Sequence, residues 1–213
     1  MKVIGYGEDG LTYRGLTQEL PDVLAALEGP EHSKPAECLL FFRPSFGRAG
    51  GFRSSQFGEF DAILATERAV YLIETKWDGS SSLGRDAVVL DFRQVLRHQI
   101  FEWMRKAWME PCPPDWATFA NDNQVPFALA FQDKPMAPEG SRLANNLGYI
   151  LKKLSDFASK TKHVLLYFHR EGQAIPATVQ AVGIPGLPIQ FEIIPRVYHP
   201  LNPGGYFEIS PLA

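Results

Sequence analysis

The chain has 213 residues, 45% hydrophobic and 12% aromatic, enough for one domain with a full core. Its formal net charge of −3 sets it apart from strongly basic proteins that coat nucleic acid, and leaves any such contact to local arginine clusters. No apolar run approaches a bilayer-spanning length and the first nine residues carry no signal-peptide pattern, so a cytoplasmic protein with no membrane partner is expected. Cys38 and Cys112 fit no metal-ligand spacing and are expected as free thiols.

In chain order, Leu16 to Leu27 reads as a helix with Thr17 as its cap and Pro21 near its first turn. Glu37 to Arg43 reads as a strand. A glycine-rich loop bearing Arg43, Arg48 and Arg53 follows. Phe57 to Thr66 and Ala69 to Lys76 are rich in strand formers around a turn at Glu67-Arg68, which lacks the Asn-Gly of the best two-residue turns. Asp91 to Trp108 reads as a long helix, with Phe92, Val95, Leu96, Gln99, Trp103 and Ala107 on one stripe. Pro111 to Pro114 ends it. Ala128 to Phe131 reads as a short buried strand, Ser141 to Lys160 as a helix capped by Ser141, and His163 to His169 as a buried strand. Beyond Ala174 the chain is rich in Pro and Gly, with strand candidates at Thr178–Val182, Ile189–Ile194 and Tyr206–Ile209. The expected organisation is a core over residues 1–170 with a small C-terminal β extension, 171–213, packed on it as part of a single domain.

The paired strands carry the chemistry. If Thr66 faces Ala69, then Ile63 faces Leu72, Asp61 faces Glu74 and Glu59 faces Lys76. Side chains alternate, so Asp61, Ile63, Val70, Leu72, Glu74 and Lys76 share one face, and Phe60, Ala62, Leu64, Tyr71 and Ile73 the other. Two carboxylates opposite each other repel unless a shared proton, a cation or a metal relieves them. Mg²⁺ takes hard oxygens from one or two carboxylates and keeps waters for a substrate phosphate. With Lys76 one step further along, the set suits phosphodiester hydrolysis. The competing reading makes Asp61 and Glu74 solvent-facing strand-end acids with Lys76 as an ion-pair partner; the apolar run Val70–Ile73 weighs against it. His163, His169 and His199 have no triad partners nearby in sequence, and there is neither a Gly-x-Ser-x-Gly elbow nor a phosphate-cradling glycine loop. The loop arginines, with Arg93, Arg97, Arg105 and Lys106 on the long helix, could line a groove that tracks phosphates.

Phe60-Asp61 and Glu74-Thr75-Lys76 resemble the Pro-Asp and (Asp/Glu)-x-Lys elements of the PD-(D/E)XK nuclease superfamily, and Ile73-Glu74-Thr75-Lys76 is closest in texture to the nuclease-related domain. The family's proline is replaced by Phe60. The resemblance, over roughly residues 15 to 110, implies an α/β fold: a restriction-endonuclease-like core with a central mixed β-sheet flanked by helices. It implies a nuclease dependent on Mg²⁺ or Mn²⁺, with DNA the expected substrate and a homodimer a common assembly. Asp61, Glu74 and the Thr75 carbonyl would hold the metal, Lys76 would orient the attacking water, and Arg43, Arg48 and Arg53 would meet the substrate. Gln99 either bonds a backbone carbonyl within the core or, as in the glutamine-x-x-x-aromatic motif of exonuclease-like members, reaches the metal site; Gln94, with His98 one turn later, is the alternative for that role. The first-helix glutamate of the family would be Glu19, with Glu28 behind it. His163 to His169 or the segment from Pro126 to Phe131 would supply the last core strand.

Overall fold

The apolar run Val70–Ile73 lies at the centre of the molecule. The computed structural model describes residues 3–47, 53–80, 84 and 86–209. Among these, the chain runs through β1 (Val3–Tyr6), α1 (Gly7–Thr17), α2 (Leu20–Glu28), β2 (Leu39–Phe42), β3 (Ser45–Phe46), β4 (Gly58–Glu59), β5 (Ala62–Ala65) and β6 (Val70–Trp77). It continues through β7 (Ala87–Leu90), α3 (Phe92–Met109), α4 (Trp116–Ala130), α5 (Arg142–Leu154), β8 (Thr161–His169), β9 (Thr178–Ala181), β10 (Phe191–Val197) and β11 (Tyr206–Ile209). The fold is α/β. A central mixed sheet of five strands, ordered β10-β8-β6-β5-β2, has β2, β5 and β6 antiparallel and β6, β8 and β10 parallel.

Both faces of this sheet are covered, which is why β6 is apolar on both sides. Ile63, Val70 and Leu72 pack with residues of α3, α4 and α5, while Ala62, Leu64, Tyr71 and Ile73 pack with α1 and α2. The hairpin register is as expected over Ala62–Ala65 and Val70–Ile73. Its turn closes without Asn-Gly because the Thr66 hydroxyl oxygen accepts from the Arg68 and Ala69 N–H groups, an alternative local turn chemistry.

Three expectations are corrected, and one left open is decided. Leu16 to Leu27 is two helices: the Gln18 and Glu19 N–H groups both turn back to the Arg14 carbonyl, and Pro21, lacking an N–H, sits in the first turn of α2. Ala128 to Phe131 ends α4 rather than forming a strand, since Phe127 and Phe131, four apart, both pack on Trp103. Of the two candidates for a further core strand it is therefore His163 to His169 that forms one, within β8, which pairs with β6 along its length. Phe60 packs with Phe46, Phe101 and His98 on the α3 side rather than with Ala62 and Leu64.

The C-terminal strands do not form a separate layer. β10 extends the central sheet, β9 pairs with β7 and β11 with β1. Asp78, just after β6, accepts hydrogen bonds from the Arg170 backbone N–H and Nε and from the Tyr198 hydroxyl, so one carboxylate joins the ends of β6, β8 and β10. No helix among the described residues is long and apolar enough to cross a membrane.

Candidate active site

The site forms where β6 outruns β5. The β5 ladder stops at Ile73, while β8 follows β6 to Trp77. On the open side the Asp61 side chain takes over: its Oδ2 accepts the Thr75 N–H at 2.7 Å, while its own carbonyl accepts the Arg43 N–H at 3.0 Å. Glu59 pairs with Ser45, so the expected Glu59–Lys76 rung is not made.

Asp61 stands one residue outside the β5–β6 ladder, close enough to Glu74 to feel its charge. Burial, then the negative charge of Glu74, pushes the Asp61 carboxyl up to about 7, against the pull of the Thr75 N–H and the Lys76 ammonium. Glu74 behaves oppositely. It is 1% exposed, and burial alone would raise it, but the Arg97 charge and hydrogen bonds from His98 and Arg97 hold it far below the usual carboxylate range. Two adjacent acids with their proton affinities driven apart mark functional sites more often than structural ones.

Among the described residues, the side-chain donors to Glu74 come from helix α3. Gln94 Nε2 donates to Oε2 at 2.8 Å, Arg97 Nη2 to Oε1 at 2.7 Å, and His98 Nε2 lies 3.2 Å from Oε1. These residues stand at i, i+3 and i+4, one face of a helix. The helix start fixes Gln94: Asp91 caps it, and the Gln94 Oε1 accepts the Asp91 N–H, so the amide NH₂ is left facing Glu74. The Arg97 guanidinium also lies 5.3 Å from the Phe60 ring centroid; a guanidinium over an aromatic face is favourable. Burial drives the His98 imidazole down to about 4.

Lys76 lies at the far end of the site. Its Nζ donates to Glu8 Oε1 at 2.9 Å and to the Thr75 carbonyl at 2.7 Å, and Ser80 Oγ donates to Glu8 Oε2 at 3.1 Å. Glu8 is in the first turn of α1, where a carboxylate meets the positive end of the helix dipole.

No family model, curated protein or solved structure matches this chain. The site is accordingly read from its own residues. Asp61, Glu74, Thr75 and Lys76 are brought together; Gln99 is not among them. Its amide donates to the Ile184 and Leu187 carbonyls and accepts the Ile184 N–H, so it ties α3 to the loop before β10, and Gln94 takes the place at Glu74. Glu19 pairs with Arg14 and Arg196, and Glu28 accepts from Ser33, Thr66 and Tyr71 at the hairpin turn; neither joins the site. Arg43 pairs with Asp9 and Glu59, Arg53 is exposed in a turn, and Arg48 lies outside the described residues. Arg97 and Arg105 are buried rather than solvent-facing: Arg97 holds Glu74, and Arg105 donates to the Ala158 and Ser159 carbonyls and to Thr161. Glu8 and Arg97 are the residues that sequence reasoning did not place beside the lysine and the carboxylates. The spacing of Gln94, Arg97 and His98 at i, i+3 and i+4, on one face of α3, is the signal that points to the second.

Proposed function

We propose that the chain is a metal-dependent phosphodiesterase with a restriction-endonuclease-like core of the PD-(D/E)XK type, acting on DNA. The observation that carries this reading is Asp61: a carboxyl whose ionised form is disfavoured by burial and by Glu74, with an ammonium held alongside by Glu8. A cation beside Asp61 would relieve that penalty.

The donors suit Mg²⁺ or Mn²⁺. Asp61, Glu74, the Thr75 carbonyl and Glu8 offer hard oxygens only. Among the described residues no three or more His, Cys, Asp or Glu side chains gather as a metal-binding group, so Asp61, Glu74 and the Thr75 carbonyl would hold the ion with waters and substrate phosphate completing its shell, as Mg²⁺ prefers. Bound there, the metal supplies a polarised phosphoryl oxygen and an acidified water. The chain's own residues do the rest. Gln94, Arg97 and His98 keep Glu74 ionised and fix the plane of its carboxylate. Glu8 and the Thr75 carbonyl hold the Lys76 ammonium at the end of β6, where it stabilises negative charge on a phosphate and orients the water that attacks it.

One observation favours a second reading. Both Glu74 oxygens are already engaged, one of them by a buried guanidinium, as in a fold that binds nucleic acid without cutting it. Titrating Mg²⁺ and Mn²⁺ against supercoiled, linear and single-stranded DNA, with RNA alongside, separates the two. The nuclease reading expects metal-dependent cutting that is lost in Asp61→Asn and Lys76→Ala. Retained DNA binding with no cutting of any substrate supports the second.

A further inference from the structure

A hydrogen-bonded chain of side chains runs from Glu74 away from the Lys76 end of the site. His98 Nε2 lies 3.2 Å from Glu74 Oε1, His98 Nδ1 lies 2.9 Å from His163 Nδ1, and His163 Nε2 lies 3.0 Å from Glu102 Oε2. Lys106 Nζ meets the other Glu102 oxygen at 2.7 Å. Both rings are packed in place: Phe60 and Phe191 flank His98, and Phe191 also meets His163. His98 is fully buried, whereas the Glu102 side chain is 22% exposed.

The direction of each bond follows from counting protons. An ionised carboxylate only accepts, and a neutral imidazole carries one N–H. Glu74, held ionised by Arg97, accepts from His98, so His98 Nε2 bears hydrogen and its Nδ1 is bare. The short contact between the two Nδ1 atoms then requires His163 Nδ1 to donate. Glu102, ionised beside Lys106, also accepts, so His163 Nε2 bears hydrogen as well. Three hydrogens on four nitrogens make one imidazolium. Placing it on His163 puts the cation against Glu102, whereas His98 is fully buried and the carboxylate beside it already has the Arg97 guanidinium.

We propose that His163 and Glu102 are positioning residues for Glu74: together they supply the donor to His98 Nδ1 that holds the ring with its Nε2 hydrogen on the site carboxylate. The catalytic meaning of this rests on the nuclease reading above, while the hydrogen-bond directions do not. Groups behind a site ligand commonly affect activity 10- to 100-fold although they touch no substrate.

The test uses the metal-free full chain and long-range ¹H–¹⁵N spectra of the imidazoles. In the wild type, His98 shows a protonated Nε2 and a bare Nδ1, and His163 shows both nitrogens protonated. In His163→Asn the amide NH₂ replaces the lost donor and the His98 spectrum is kept; in His163→Leu the Nε2 hydrogen stays on Glu74 but the bare Nδ1 loses its donor and its ¹⁵N signal moves toward that of a free imidazole nitrogen. In Glu102→Gln the new amide donates to His163 Nε2, so His163 becomes neutral and His98 is unchanged. If cutting is found, its metal-dependent rate falls about tenfold in His163→Leu and recovers in His163→Asn. The proposal is overturned if wild-type His98 carries its hydrogen on Nδ1, or if the Leu and Asn variants leave the same His98 spectrum. Should the tautomers behave as stated while no substrate is cut, the positioning of Glu74 stands and the nuclease reading alone fails. Should His163→Leu not fold, the wild-type and His163→Asn spectra still decide.

Discussion

Asp61→Asn is expected to stabilise the protein at alkaline pH while removing its activity. The wild-type carboxyl rises from an ordinary 3.8 to about 7 in the folded chain, through burial first and the Glu74 charge second. Between those values the native state keeps a proton that the unfolded chain has released, so stability falls as pH rises through the window and the loss is complete above pH 7. At about 1.4 kcal/mol per pH unit, the ionised carboxyl costs the fold about 4 kcal/mol; asparagine carries no such charge and still accepts the Thr75 N–H. Urea unfolding of both proteins in EDTA, from pH 4 to 8.5, reads the difference directly. Near pH 4 the two midpoints nearly coincide. Above pH 7 the variant is more stable by about 2–4 kcal/mol, and excess Mg²⁺ narrows the gap by stabilising only the wild type. A difference that stays flat across the whole range would refute the reasoning, because Asp61 would then titrate alike in both states.

Arg97→Ala leaves Glu74 buried and charged without its ion pair, and urea unfolding should register a loss of about 3–5 kcal/mol at pH 7. Gly58→Ala places a methyl 2.6 Å from Arg97 Nη1 at a backbone φ of +103°, and thermal unfolding should show a cost of about 1–3 kcal/mol. Gln99→Leu strips two carbonyls and one N–H of the 184–187 loop of their partner; it should lower stability by about 2–3 kcal/mol yet leave the specific activity of the folded fraction unchanged, the reverse of Gln94→Ala.

Much of the central sheet could be read in the residues, and the reasons are physical. Setting Thr66 opposite Ala69 gave the register found over Ala62–Ala65 and Val70–Ile73, and with it the faces of those residues, because a slip of one residue exchanges the faces. Asp91, Gln94 and Ser141 announced the starts of α3 and α5 through capping chemistry. Glu8 stayed hidden because α1 is written in glycines. Gly7, Gly10 and Gly15 read as loop residues, whereas Gly10 and Gly15 serve close packing: a methyl on Gly15 would lie 2.7 Å from the Phe168 ring, and one on Gly10 2.9 Å from the Phe207 ring. That approach is a tertiary fact with no local trace. Gln99 misled for a different reason. It lies five residues after Gln94, so the helix turns it well away from Glu74, toward a loop 85 residues distant in sequence.

Asp61 has two employers. Its Oδ2 completes a main-chain rung of the sheet at Thr75, a duty that asparagine performs equally well and that no shorter or apolar side chain can. Drift under selection for folding alone would therefore retain aspartate or asparagine at this position. A lineage that carried the amide in place of the acid would keep the rung and the architecture around it while losing the negative charge at that point.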